Sequence, residues 1–158
     1  MNNIKTFENF NNQDIFTYLK NNDIQSIKNY IDSGYDLNSQ NSDGITPLIK
    51  SVINDKIEIV KLLLNAGADI DKQFNNGNTA LIYAAFYNYN EIVELLLDYY
   101  ADEFILNYEN ESFYDYLDDE NKEYFTQNYP TSVYNAISHN YKKSFTEFIK
   151  DHNIKIKK

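Results

Sequence analysis

The sequence predicts an all-α solenoid of stacked helix-turn-helix repeats with short hairpin loops, closed at its ends by degenerate helix pairs. Three observations carry that reading. Residues 41–71, NSDGITPLIKSVINDKIEIVKLLLNAGADID, return in register as FNNGNTALIYAAFYNYNEIVELLLDYYADEF, so that Gly44 and Gly77, Thr46 and Thr79, Leu48 and Leu81, Val60 and Val93, and Ala68 and Ala101 are each 33 apart. A period of that size means stacked supersecondary units. Within the unit, Ile57, Val60, Leu63 and Leu64 recur every three or four residues, which puts one apolar stripe along a helix. The same interval separates Asn22, Asp55, Asn88 and Asn121, the residue types that best tolerate the left-handed conformation of a helix-to-helix turn.

Each element follows from local chemistry. Residues 1–40 are an N-terminal extension and capping repeat: Ile4, Phe7 and Phe10 could cover the exposed end of the stack, and residues 14–33 form a first helix pair without a Gly-x-Thr-Pro turn before it. Residues 41–73 are the second repeat. Asp43-Gly44 makes its tight turn, Thr46 caps the first helix, Pro47 opens it where a missing N–H costs nothing, and Gly67 ends the second helix. Residues 74–106 repeat this plan. Residues 107–129 are a degenerate fourth repeat, with Ser112 at the cap position, a short helix through Phe113, Tyr114 and Leu117, a turn at Asn121 and a second helix through Tyr124 and Phe125. Residues 130–154 are a degenerate helix pair closing one single domain that spans 1–158.

These motifs resemble the ankyrin repeat family: DGITPLIKSV and IEIVKLLLNAGADID in one unit, NGNTALIYAA and NEIVELLLDYYADEF in the next. The departures are Ile49 and Ile82 in place of the family's usual His, Ala80 in place of Pro, and Tyr100 in place of Gly. Phe74 also replaces an acidic residue that the family usually keeps.

Composition narrows the function. All 14 basic side chains are Lys, so the planar fork that recognises phosphate or guanine is absent, and a net charge of −10 opposes a polyanion; nucleic acid is not an expected partner. No stretch approaches a membrane span or a signal peptide, and the lack of Cys suits a reducing, cytoplasmic setting. A monomer is expected. Residues 91–128 carry 12 acidic side chains and one Lys, which points to a basic partner surface or to a solvated face.

Catalysis and cofactors find no support. His139 and His152 are the only histidines and have no Cys or nucleophilic elbow to work with. The four glycines all serve turns, which leaves no phosphate loop. Asp115, Asp118, Asp119 and Glu120 could cluster on one helix, but the Gly turn and alternating ligands of a calcium loop are missing; no metal or cofactor is expected.

The resemblance implies a concave groove, lined by hairpin tips and first helices, that grips a protein partner. Carried over position by position, the tips are Asp43, Ile45, Asn75, Asn76 and Asn78 beside Gln40 and Gln73, and the first-helix positions are Lys50, Ile53, Tyr83, Phe86 and Tyr87. Phe74 joins them, and Tyr116 and Asp119 take the corresponding offsets in the fourth unit, with Glu109 among its tip positions. Two function classes fit: a non-catalytic interaction module using this groove, or an acidic inhibitor of immunity type that blocks a basic enzyme such as a nuclease.

Overall fold

The computed structural model describes residues 14–129, and among them it contains seven α-helices, one 3-10 turn and no strand. The expected cover at residues 1–12, the closing helix pair at 130–154 and both histidines lie outside the described residues. Helices α1 (Ile15–Asn21) and α2 (Ile24–Asp32), α3 (Pro47–Ile53) and α4 (Ile57–Asn65), and α5 (Ala80–Phe86) and α6 (Asn90–Asp98) are three successive hairpins. The first helices form one row, α1 on α3 on α5 on the 3-10 turn Phe113–Tyr116, and the second helices form another, α2 on α4 on α6. The core runs continuously between the rows, through Ile15, Leu19, Leu48, Val60, Leu63, Leu81, Val93, Leu96 and Phe113.

The same local devices recur at each step. Thr46 and Thr79 accept from the N–H of Ile49 and Ile82 at 3.2 and 3.3 Å, which satisfies one of the free donors at each helix start. Asn22, Asp55 and Asn88 sit at φ +54, +52 and +57, as the turn reading requires. Around Asp55 the chain closes with Asp55 N–H to Val52 C=O and Lys56 N–H to Ser51 C=O, and Asn88 and Tyr89 repeat this pair of bonds. Helices α4 and α6 start without a side-chain cap, whereas α2 is capped by Asp23, whose carboxylate accepts from Ser26 N–H at 3.0 Å.

Hairpin tips are tied to one another across the stack. Gln40 Nε2 donates to Gly44 C=O and to Gln73 C=O, and one unit later Gln73 Nε2 donates to Gly77 C=O and to Leu106 C=O. These glutamines are therefore brackets between units. Asn38 and Asp71, also 33 apart, accept in the same way from Asp69 N–H and Asp102 N–H at 2.7 and 2.8 Å.

Tyr100 stands where the preceding unit has Gly67, and it keeps the glycine conformation. Gly67 lies at φ +86 and Tyr100 at φ +63, and both helices end with the same pair of backbone bonds: Gly67 N–H to Leu64 C=O with Ala68 N–H to Leu63 C=O, and Tyr100 N–H to Leu97 C=O with Ala101 N–H to Leu96 C=O. The tyrosine ring is 90% exposed, so it gains little packing in return for the strained backbone. Tyr100→Gly is expected to raise stability by about 1 kcal/mol. An unchanged or lower urea midpoint would refute that.

The fourth unit departs from the expected register. Asn121 is not a turn between helices; it lies inside α7 (Asp119–Asn128). Asp118 accepts from Asn121 N–H at 2.8 Å and starts the second helix early, while Ser112 N–H and Oγ both donate to the Asp115 carboxylate, at 2.8 and 2.9 Å, and close residues 112–115 into a tight turn. The first helix of this unit is thus reduced to Phe113–Tyr116. It follows that Asp115, Asp118 and Asp119 do not share one helix: Asp115 belongs to the 3-10 turn, and Asp118 and Asp119 open α7. Among the described residues no three acidic or His side chains come together in a way that would hold a metal ion.

Candidate functional site

Helix α5 reads ALIYAAF, and Ala80, Leu81, Ile82, Ala84 and Ala85 are all buried. Tyr83, Phe86 and the following Tyr87 occupy positions i, i+3 and i+4, which share one face of a helix; Phe86 and Tyr87 are exposed there, and Tyr83 is partly buried against the core. The small Ala84-Ala85 pair lets the neighbouring elements approach, so these three rings are free to line the flank of the first-helix row.

Here α5, the 3-10 turn and two hairpin tips enclose a pocket of about 390 Å³. It is lined by Asn76 and Asn78 from one tip, Tyr83, Phe86 and Tyr87 from α5, Asn107 and Glu109 from the next tip, and Tyr116 from the 3-10 turn. The rings form a connected series. Phe74 meets Tyr83 at 6.1 Å between centroids, Tyr83 meets Tyr87 at 6.4 Å, Phe86 stands edge-on to Tyr87 at 5.0 Å, and Phe86 stands edge-on to Tyr116 at 5.5 Å. Phe86 remains 53% exposed and Tyr87 40%, with Tyr89 stacked on Tyr87 at 5.5 Å.

Polar groups hold the far wall. Asn107 Oδ1 accepts from the N–H groups of Glu109 and Glu111, both at 2.9 Å, and its Nδ2 donates to the Tyr116 hydroxyl at 3.0 Å. That hydroxyl in turn donates to the Glu111 carboxylate. Burial, then the hydrogen bond to Glu111 and its charge, with a further contribution from the charge of Glu109, push the Tyr116 phenol up to about 12. Tyr116 therefore stays protonated at neutral pH, and its ring is fixed in orientation.

The residues singled out from the sequence fall into two groups. Asn76, Asn78, Tyr83, Phe86, Tyr87 and Tyr116 come together in the pocket, with Phe74 packed behind Tyr83. Asp43, Ile45, Lys50 and Ile53 belong to the preceding unit and do not line it; Ile45 and Ile53 are partly buried against the core. Asn75 is a staple: its Nδ2 donates to Asp43 C=O at 2.7 Å, and its amide lies over Gly44. Asp119 is exposed in the first turn of α7, away from the pocket lining. Asn107 is a lining residue that sequence reasoning passed over. Its signal was available, because it stands 33 after Phe74 and 66 after Asn41, whose Oδ1 braces its own turn by accepting from Asp43 N–H and Ile45 N–H.

The comparisons agree with this architecture. A family model for three copies of the ankyrin repeat matches residues 15–107, more than half of the chain. Among solved structures, the ankyrin repeat domain of Bcl-3, described as a unique member of the IkappaB protein family, is similar with a TM-score of 0.63 at 24% identity, over 65% of this chain and 45% of that one. The match thus spans less than half of the Bcl-3 chain, and at that identity the likeness is one of fold. No curated protein sequence matches at a significant level. Ankyrin repeats are generally protein–protein interaction modules and are typically non-catalytic. With the repeat interval, the helix pairs and the family model in accord, the chain belongs to the ankyrin repeat family.

Proposed function

We propose that this chain is a non-catalytic adaptor that grips a segment of another protein in the aromatic pocket between its third and fourth units. The observation that carries the reading is the convergence of Tyr83, Phe86, Tyr87 and Tyr116 on one pocket with two of the rings well exposed. Large aromatic side chains in a partly desolvated recess are the usual energetic centres of protein interfaces. The chain acts as a monomer in a reducing compartment such as the cytoplasm, in keeping with its lack of Cys.

The acidic segment supports an inhibitor less well than the bare count of charges suggests. Glu94 accepts from the Tyr124 hydroxyl, Glu111 from Tyr116, and Asp115 and Asp118 from backbone N–H groups at helix starts. Such carboxylates serve the fold first. An acidic plug for a basic enzyme would bind with steep salt dependence and would weaken on neutralising Asp115, Asp118 and Asp119.

Affinity capture from native lysate tests the adaptor reading, with Tyr83→Ala/Phe86→Ala as the negative bait. The expected result is a protein retained by the wild type and lost from the double variant, at a cost of about 2 kcal/mol or more in binding. Identical captures would show the groove assignment to be wrong.

A further inference from the structure

We propose that the aromatic pocket accepts a cationic side chain, lysine or arginine, from the bound protein segment, with the Phe86 ring and the carboxylate of Glu109 as its recognition elements. The inference rests on the adaptor reading above and specifies what enters the site.

Three features of the pocket point this way. First, the walls combine four aromatic rings with a carboxylate: Tyr83, Phe86, Tyr87 and Tyr116 beside the exposed Glu109. Ring faces carry negative electrostatic potential, and a carboxylate next to them favours a cation over a neutral guest. Second, the pocket supplies no cation of its own, because residues 73–121 contain no Lys, Arg or His. Lys72 and Lys122 border this stretch, and Lys122 stands over the ring of Tyr114 at 5.8 Å. Third, Glu109 has no lysine partner among the described residues, and only its backbone N–H takes part in the hydrogen bonding of its loop. Glu109 is exposed and belongs to the pocket lining.

Charge complementarity extends beyond the pocket. Residues 91–128 hold 12 acidic side chains against one Lys, so a basic segment would be drawn toward this end of the stack before any side chain is inserted.

The test uses the full chain with 13C-labelled Phe and Tyr rings, titrated by NMR with Nα-acetyl-lysine amide, Nα-acetyl-arginine amide and the neutral isostere Nα-acetyl-norleucine amide, each to about 20 mM, a range suited to millimolar affinities. Both cations are expected to shift the Phe86 and Tyr116 ring signals saturably, and the norleucine compound to bind about tenfold more weakly. Glu109→Gln is expected to weaken both cations about fivefold and to leave norleucine unchanged. Phe86→Leu, which keeps apolar volume but removes the ring, is expected to abolish the preference for cations. Equal affinity for norleucine would overturn the cation assignment while leaving the adaptor reading intact, since that reading falls only if the Tyr83→Ala/Phe86→Ala bait captures the same proteins as the wild type. Absence of any saturable shift, or contacts in the free protein between this chain's own lysine methylenes and the Phe86 ring, would also overturn it.

Discussion

Replacing Phe125 by alanine is expected to detach α7 from the stack and to cost about 3–5 kcal/mol, the range for removing a fully buried aromatic side chain. Phe125 is 0% exposed and is the one buried residue of α7, a helix whose sequence DENKEYFTQN is otherwise polar or half-exposed. The other links are polar: Asn90 Nδ2 to Asn121 Oδ1 at 2.7 Å, the Tyr124 hydroxyl to Glu94, the Tyr129 hydroxyl to Asp98 at 3.4 Å, the Tyr114 and Thr126 hydroxyls at 3.4 Å, and Lys122 over the Tyr114 ring at 5.8 Å. Such bonds lie at or near the surface and are individually weak, so they are not expected to hold the helix once the anchor is gone. Because each unit of a repeat stack contacts chiefly its neighbours, the loss should stay local. Hydrogen exchange provides the check: amides of α7 should lose protection while those of α3 and α4 keep most of theirs. Uniform loss along the chain would mean that the fourth unit and the repeats before it unfold as one.

Gly77→Ala is expected to destabilise the chain by about 2–4 kcal/mol and to deform the pocket as well. Gly77 lies at φ +84, where a Cβ is strained, and its Cβ would meet Tyr108 N at 2.7 Å and Asn107 Cα at 2.9 Å. Those are backbone atoms of the loop that carries Asn107 and Glu109, and Tyr108 N–H donates to Asn76 C=O at 3.0 Å across the same gap. Relief therefore requires the far wall of the pocket to move. Gly44→Ala offers an internal control: it shares the φ of +84, but the three atoms nearest its Cβ all belong to the Asn75 side-chain amide, which can swing aside at the cost of its hydrogen bond to Asp43 C=O rather than by moving backbone. Gly77→Ala is expected to be the more damaging of the two by thermal melting. The reverse order would count against the backbone contact as the cause.

Much of the fold was legible in the sequence because its repeat rules are local. A Thr three residues before a free N–H caps a helix wherever it occurs, and an Asn or Asp adopts positive φ more readily than other side chains do, so Thr46, Thr79, Asp55 and Asn88 could be placed by spacing alone. The fourth unit was misread for the same reason. Extending the interval to Asn121 assumed a first helix of constant length, whereas the Ser112–Asp115 closure and the Asp118 cap decide where these helices stop and start. Asn110, which stands 33 after Gly77, does keep positive φ at +64, so the interval survives in the hairpin and fails in the helices.

The site divides along similar lines. Tyr83, Phe86 and Tyr87 were readable because helical spacing sets them opposite a buried Ala84-Ala85 pair. The role of Asn75 was not, since its hydrogen bond to Asp43 C=O depends on how two loops stack, and nothing in the composition of either loop specifies that. Asn107 was hidden by Phe74, which occupies the same place one unit earlier and cannot brace its turn with a side-chain oxygen. There the brace shifts to Asn76, whose Oδ1 accepts from Asn78 N–H at 3.0 Å, and the phenylalanine ring is left to support Tyr83.

The central claim is that the flank of the first-helix row between α5 and the 3-10 turn receives a protein segment. Site-specific photocrosslinking tests it most directly, with a benzophenone amino acid placed at Phe86 and, in a second variant, at the exposed Lys61 of α4 in the other helix row. The account predicts a discrete protein adduct from position 86 that excess unlabelled wild type suppresses, and none of the same mass from position 61. Matching adducts from both positions, or crosslinks from position 86 only to this chain's own residues 130–158, would contradict it.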